Sequence, residues 1–178
     1  MLIGQVLLAQ PLLWVAGLQP WAFTVAGSLF AIAAVVSAYL LVRRLLPPRL
    51  AALATLLLII FPGYLAYANS FMSDVPAMAG QFACLAMGAT AMGRRPVPTR
   101  LVIGSLAVGV AAFSIRDFAV AAPATVAVVA ILAEPRRPRH WALAAAVVAS
   151  CLALYAFRIS LPGQVGDVTA ELERTDGL

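Results

Sequence analysis

Asp74, Arg116 and Asp117 are ionisable residues set between long apolar runs, and they are the side chains in this sequence with chemistry to offer. Asp74 follows Asn69, Ser70 and Ser73. A carboxylate flanked by amide and hydroxyl groups coordinates a divalent cation or positions an acceptor hydroxyl; the simpler alternative is that Asp74 caps the helix after it. Arg116 carries the group best shaped to grip a phosphate with two parallel hydrogen bonds, and an arginine recessed in a membrane is costly without such a ligand. The simpler alternative here is that the neighbours Arg116 and Asp117 offset one another at a helix break. Arg158 reads as a side chain snorkelling to head groups, and His140 beside Trp141 as an interfacial residue. The sequence has no GxxxxGK[ST] phosphate loop, no HExxH, no GxSxG and no Cys/His ligand set, which argues against soluble-enzyme chemistry.

The elements that would position these residues are apolar. Of 178 residues 63% are hydrophobic and only 11% charged, with a mean hydropathy of +0.99, which is the composition of an integral membrane protein. Every basic residue is an arginine, and most fall in three clusters: Arg43, Arg44 and Arg49; Arg94, Arg95 and Arg100; Arg136, Arg137 and Arg139. Such clusters mark cytoplasmic loops and supply nearly all of the net charge of +5, so nucleic acid is not expected as a partner. Cys84 and Cys151 lie singly in apolar runs without CxxC spacing and read as packing residues. Small residues recur too densely for helix-packing motifs to carry weight.

A helix needs about 20 apolar residues to cross the hydrocarbon core. Trp21 to Val42, Leu50 to Ala68 with a kink at Pro62 and Gly63, Asp74 to Gly93 and Trp141 to Ser160 each meet that length. Leu101 to Ala133 is either one overlong helix or a hairpin broken at Arg116 and Asp117. The hairpin keeps all three arginine clusters on one side and is therefore expected, with arms of about 22 to 24 Å, shorter than the roughly 30 Å core. Its turn must then lie below the outer surface, against protein or in a wet cavity. Residues 1 to 19, with Gln5, Gln10, Pro11 and Gln19, suggest an interfacial or re-entrant helix, a true span being nearly as good a reading. The expected fold is an all-α transmembrane bundle of about six spans over residues 1–160, followed by a polar outer loop or tail over 161–178.

With the outer loops placed, the order of features resembles the GT-C type polytopic glycosyltransferases that use polyprenyl-phosphate sugars, the group of the aminoarabinose transferases and protein mannosyltransferases. Gly4 to Leu8, through Gly17-Leu18-Gln19-Pro20, is similar to the end of that family's large first outer loop. Tyr67 to Pro76 is similar to its second outer loop, where an acidic residue follows Ser or Thr, and Phe113 to Asp117 resembles a later outer turn that often carries arginine. The resemblance implies transfer of a sugar from a polyprenyl phosphate to an acceptor at the outer face of a bacterial inner membrane. It would put Asp74 near a divalent metal or the acceptor, Arg116 on the donor phosphate, and Asp117, Asn69 and Ser73 around the substrate. The family's base is an aspartate in the first outer loop, and no acidic residue precedes Asp74 here. The chain is thus expected to be an internal part of a longer transferase with no catalytic base of its own. A transporter or lipid-translocating fragment, in which the same charges line a path, and a non-catalytic membrane subunit are the competing readings.

Overall fold

A computed structural model describes residues 10, 11, 14, 15, 17, 19–68 and 73–160. They form an all-helical bundle: α1 (Pro20–Val42), α2 (Pro48–Ile60), α3 (Pro62–Ala68), α4 (Asp74–Met92), α5 (Thr99–Ile115), a 3₁₀ turn (Asp117–Val120), α6 (Ala121–Ala133) and α7 (Pro138–Ser160). No strand occurs among the described residues. The interfacial helix expected over residues 1–19 lies mostly outside the described residues, as do Asn69 and the tail 161–178.

Proline sets many of the boundaries. Pro20, Pro48, Pro62 and Pro138 each open a helix, where the missing N–H costs nothing and the fixed φ suits the first turn. Pro62 also ends α2, because the residue before a proline is driven out of the helical region. Phe61 has ψ 121°, and α2 and α3 meet at a bend of 61°.

Trp21–Val42, Asp74–Met92 and Pro138–Ser160 are long and apolar enough to cross a membrane, and α2 with α3 makes a fourth crossing if the bent pair counts as one. Helix α5 has 17 residues and α6 has 13, so each is short for a crossing. They nevertheless form the expected hairpin. The chain leaves α5 at Ile115, is extended at Arg116 (φ −145°, ψ 136°), and turns back through the 3₁₀ turn into α6.

Three bonds fix which loops share an end. Arg44 at the end of α1 donates from Nη2 to Thr90 Oγ1 near the end of α4, 2.9 Å. Arg95, after α4, donates from Nη1 to Ala133 O at the end of α6, 3.2 Å, and the Val97 amide donates to Glu134 Oε1, 3.2 Å. All three arginine clusters therefore lie at one end of the bundle.

Helix α4 is the centre, packed on α1, α5 and α6. The close crossings are made by glycine: a β-carbon on Gly80 would stand 2.6 Å from Ala112 Cβ, and one on Gly88 would stand 2.6 Å from Val126 Cγ2. The face of α1 turned inward is alanine (Ala22, Ala26, Ala31, Ala34, Ala38). Close packing of small residues is how helices associate where lipid removes the hydrophobic driving force. Helix α7 rests on α5 and α6 and buries only a narrow stripe around Val147.

Candidate functional site

At the end opposite the arginine clusters, Asp74 opens α4 and Arg116 follows α5. Arg116 Nε stands 2.9 Å from Asp74 Oδ1, each side chain about two-fifths exposed. The N–H is not aligned on the oxygen, so the contact is ionic rather than a directed hydrogen bond. Asp117 pairs with Arg158 in the last turn of α7. The neighbours Arg116 and Asp117 thus reach in different directions, one to α4 and one to α7, and do not offset one another.

Asp74 is not the cap of α4. That position belongs to Ser73, which is buried and makes no side-chain cap bond, while the Asp74 carboxylate lies in the first turn, where the helix dipole favours it. Of the residues expected to gather here, the structure brings together Asp74 and Arg116, places Ser73 beside Asp74, and puts Asp117 on the same turn with a separate partner. Asn69 is outside the described residues. Among the described residues no group of three or more His, Cys, Asp or Glu could hold a metal ion, so a cation at Asp74 would need donors from elsewhere.

Beside the ion pair is a cavity of about 410 Å³. Asp74, Val75, Met78, Gln81 and Phe82 of α4 form one wall; Phe61, Tyr64 and Tyr67 at the α2–α3 bend, with Leu58 and Gly63, and Phe118 of the 3₁₀ turn form the rest. The bend at Pro62 is what brings three aromatic rings to this place. Tyr64 is held there by its hydroxyl, which donates to Ala31 O of α1 at 2.5 Å. Gln81 Nε2 donates to Phe118 O, 3.0 Å, and ties the 3₁₀ turn to the cavity wall. The arrangement is an apolar, aromatic slot whose polar rim holds a carboxylate joined to a guanidinium. It suits an amphiphile with an anionic or hydroxyl-bearing head.

The sequence reading passed over several participants. Asp74, Met78, Gln81 and Phe82 recur at i, i+4, i+7 and i+8, one stripe of a helix, so Gln81 was legible as a polar residue facing the same way as Asp74. Arg158, which reads from its position alone as a snorkelling residue, pairs with Asp117. At the other end His140 is packed inside the protein: it is 1% exposed, with Nε2 3.9 Å from Glu134 Oε2 and neither ring nitrogen hydrogen-bonded among the described residues. Glu134 was masked by its place beside an arginine cluster. It accepts from Val97 N and pairs with Arg137 Nε at 3.1 Å.

Comparison with protein-family models, curated proteins and solved structures found no match to this chain.

Proposed function

We propose that the chain is a membrane-embedded bundle that binds a polyprenyl-phosphate-linked sugar between α2, α3, α4 and the 3₁₀ turn, as a donor-binding part of a glycosyltransferase. The observation that carries this reading is the aromatic cavity with Asp74 in its wall and Arg116 Nε 2.9 Å from that carboxylate. An isoprenoid chain fits the slot, Arg116 meets the phosphate, and Asp74, released from Arg116 by the phosphate, meets a hydroxyl or a divalent cation. Asp117 and Arg158 hold the turn that carries Arg116. No described residue is assigned as the base. In this reading the polypeptide crosses a bacterial inner membrane about six times, α5 and α6 as a paired hairpin, with the arginine clusters in the cytoplasm and the cavity at the outer face.

The test uses the purified chain in nanodiscs and farnesyl phosphate as the probe. Arg116→Gln weakens binding by about tenfold or more, as loss of a charge-assisted phosphate contact does. The exchange Asp74→Arg with Arg116→Asp preserves the pair and still loses binding. Undiminished affinity in either variant overturns the proposal.

A second reading has its own observation in favour. Among the described residues, Asp74, Arg116, Asp117 and Arg158 at this end are already paired across helices, which suits a non-catalytic subunit whose charges only fasten its turns. It predicts that the charge exchange keeps every property of the parent chain. Transport predicts an ionisable group near mid-depth, whereas among the described residues the carboxylates, arginines and histidine lie in end turns and loops.

A further inference from the structure

A second groove runs along the bundle nearer the arginine-rich end. It encloses about 230 Å³ between α1, α4 and α6, with Leu41, Leu85, Met92, Thr125 and Val129 among its walls. Its floor is the crossing of α4 and α6, where Gly88 lets Val126 come close. Nothing polar lies along it except Thr125, whose hydroxyl is spent on Ala121 O at 2.7 Å. The groove is therefore suited to a hydrocarbon chain.

Two arginines are anchored beyond its arginine-side end, and both are exposed. Arg44 follows Leu41 by nearly a turn and is tied by one nitrogen to Thr90 on α4. Arg95 comes three residues after Met92 and is tied by one nitrogen to Ala133 O, one turn beyond Val129 on α6. Each guanidinium keeps further N–H donors after that bond, and the bond restrains a side chain that would otherwise lose much freedom on binding a ligand. Restrained cations at the end of an apolar groove are complementary to a phosphodiester carrying an acyl chain.

We infer that the α1–α4–α6 groove is a binding site for an acidic phospholipid of the bilayer, with one acyl chain between Leu41 and Val129 and the phosphate held by Arg44 and Arg95. The site extends from Leu85 toward the arginine-rich end of α4, whereas the Asp74 cavity extends from Phe82 toward the other end, and the inference does not depend on what that cavity binds.

The experiment is native mass spectrometry and thermal unfolding of the full chain in detergent, titrated with phosphatidylglycerol, with phosphatidylcholine of the same acyl chains, and with inorganic phosphate. One phosphatidylglycerol is retained per chain and raises the melting temperature; phosphatidylcholine and inorganic phosphate do neither. The double variant Arg44→Gln, Arg95→Gln loses about tenfold or more in phosphatidylglycerol affinity. Val129→Trp, at an exposed groove wall, blocks the acyl chain and loses comparable affinity with both arginines intact, which keeps the test decisive if the arginine variant does not fold. Equal retention of phosphatidylcholine overturns the site. So does an equal loss in the control Arg136→Gln, Arg139→Gln, which would mean diffuse attraction to a basic surface. Stabilisation by inorganic phosphate alone would assign Arg44 and Arg95 to a free anion and overturn the lipid.

Discussion

Asp74 Oδ1 and Arg116 Nε, 2.9 Å apart, join the first residue of α4 to the residue that ends α5. The pair lies at the end of the bundle opposite the arginine clusters, and its carboxylate partner Asp74 lines the aromatic cavity. Half-exposed pairs of this kind are worth about 0 to 1 kcal/mol in water, so the contact positions two groups more than it stabilises the fold. A double-mutant cycle of Asp74→Asn and Arg116→Gln is expected to give a coupling of about 1 kcal/mol or less in thermal unfolding. A coupling several times larger would make the pair a structural fastening, and the second functional reading would gain.

The glycine crossings should be the most sensitive places in the bundle. Gly109→Ala would put a methyl 2.8 Å from both Cys84 Sγ and Pro123 Cβ. Overpacking of that kind costs about 1 to 3 kcal/mol, against a gain in helix propensity of about 1. Gly104→Ala meets only the flexible end of Met87, at 3.0 Å, and is expected to leave stability unchanged or slightly higher. Equal melting temperatures for the two variants would contradict this packing.

Tyr64→Phe removes the hydroxyl that links α3 to Ala31 O while keeping the ring in the cavity wall. The expected loss is about 0.5 to 1.5 kcal/mol, the net value of one hydrogen bond. Farnesyl phosphate affinity should fall as well, since the bend at Pro62 is no longer held against α1. Full affinity at reduced stability would separate the cavity from that bond.

His140 is expected to behave against intuition. Its ring is buried without a hydrogen bond among the described residues, and an unsatisfied buried polar group costs about 1 to 3 kcal/mol. His140→Leu should therefore leave the melting temperature unchanged or raise it. Glu134→Gln should lower it, because Glu134 fastens Val97 and Arg137. A marked loss in His140→Leu would mean that the contact with Glu134 at 3.9 Å is a working ion pair.

Sidedness is open to direct labelling. In a background of Cys84→Ala and Cys151→Ala, cysteines at Leu45 and Gly93 should react from one side of the membrane and a cysteine at Phe118 from the other, since all three positions are exposed and the first two lie at the arginine-rich end. Labelling of all three from one side would rule out the crossing pattern proposed above.

Much of this architecture was legible in the sequence because charge and apolar length are local properties. The arginine clusters alone chose the hairpin over one long helix, and the bonds from Arg44 and Arg95 show those clusters at a common end. Pro62 announced its bend for an equally local reason. What the sequence hid depends on which helix stands opposite which. Glycines are scattered from Gly27 to Gly109, and only the crossings of α4 with α5 and α6 single out Gly80, Gly88 and Gly109. Arg116 and Asp117 look like a self-cancelling couple until the turn's geometry sends them to separate partners. Arg158 and His140 were judged by their positions along their own helix, whereas their surroundings are supplied by others.

The hairpin turn also carries a schedule. Its first partner, Asp74, is synthesised before it, whereas its second, Arg158, comes 41 residues after Asp117. As the chain emerges from the ribosome, Arg116 can be neutralised as soon as α5 is complete, but the Asp117 charge must wait for almost the whole of α7. Two arms, each short for a crossing, are thus left with one charge unpaired until α7 has been made.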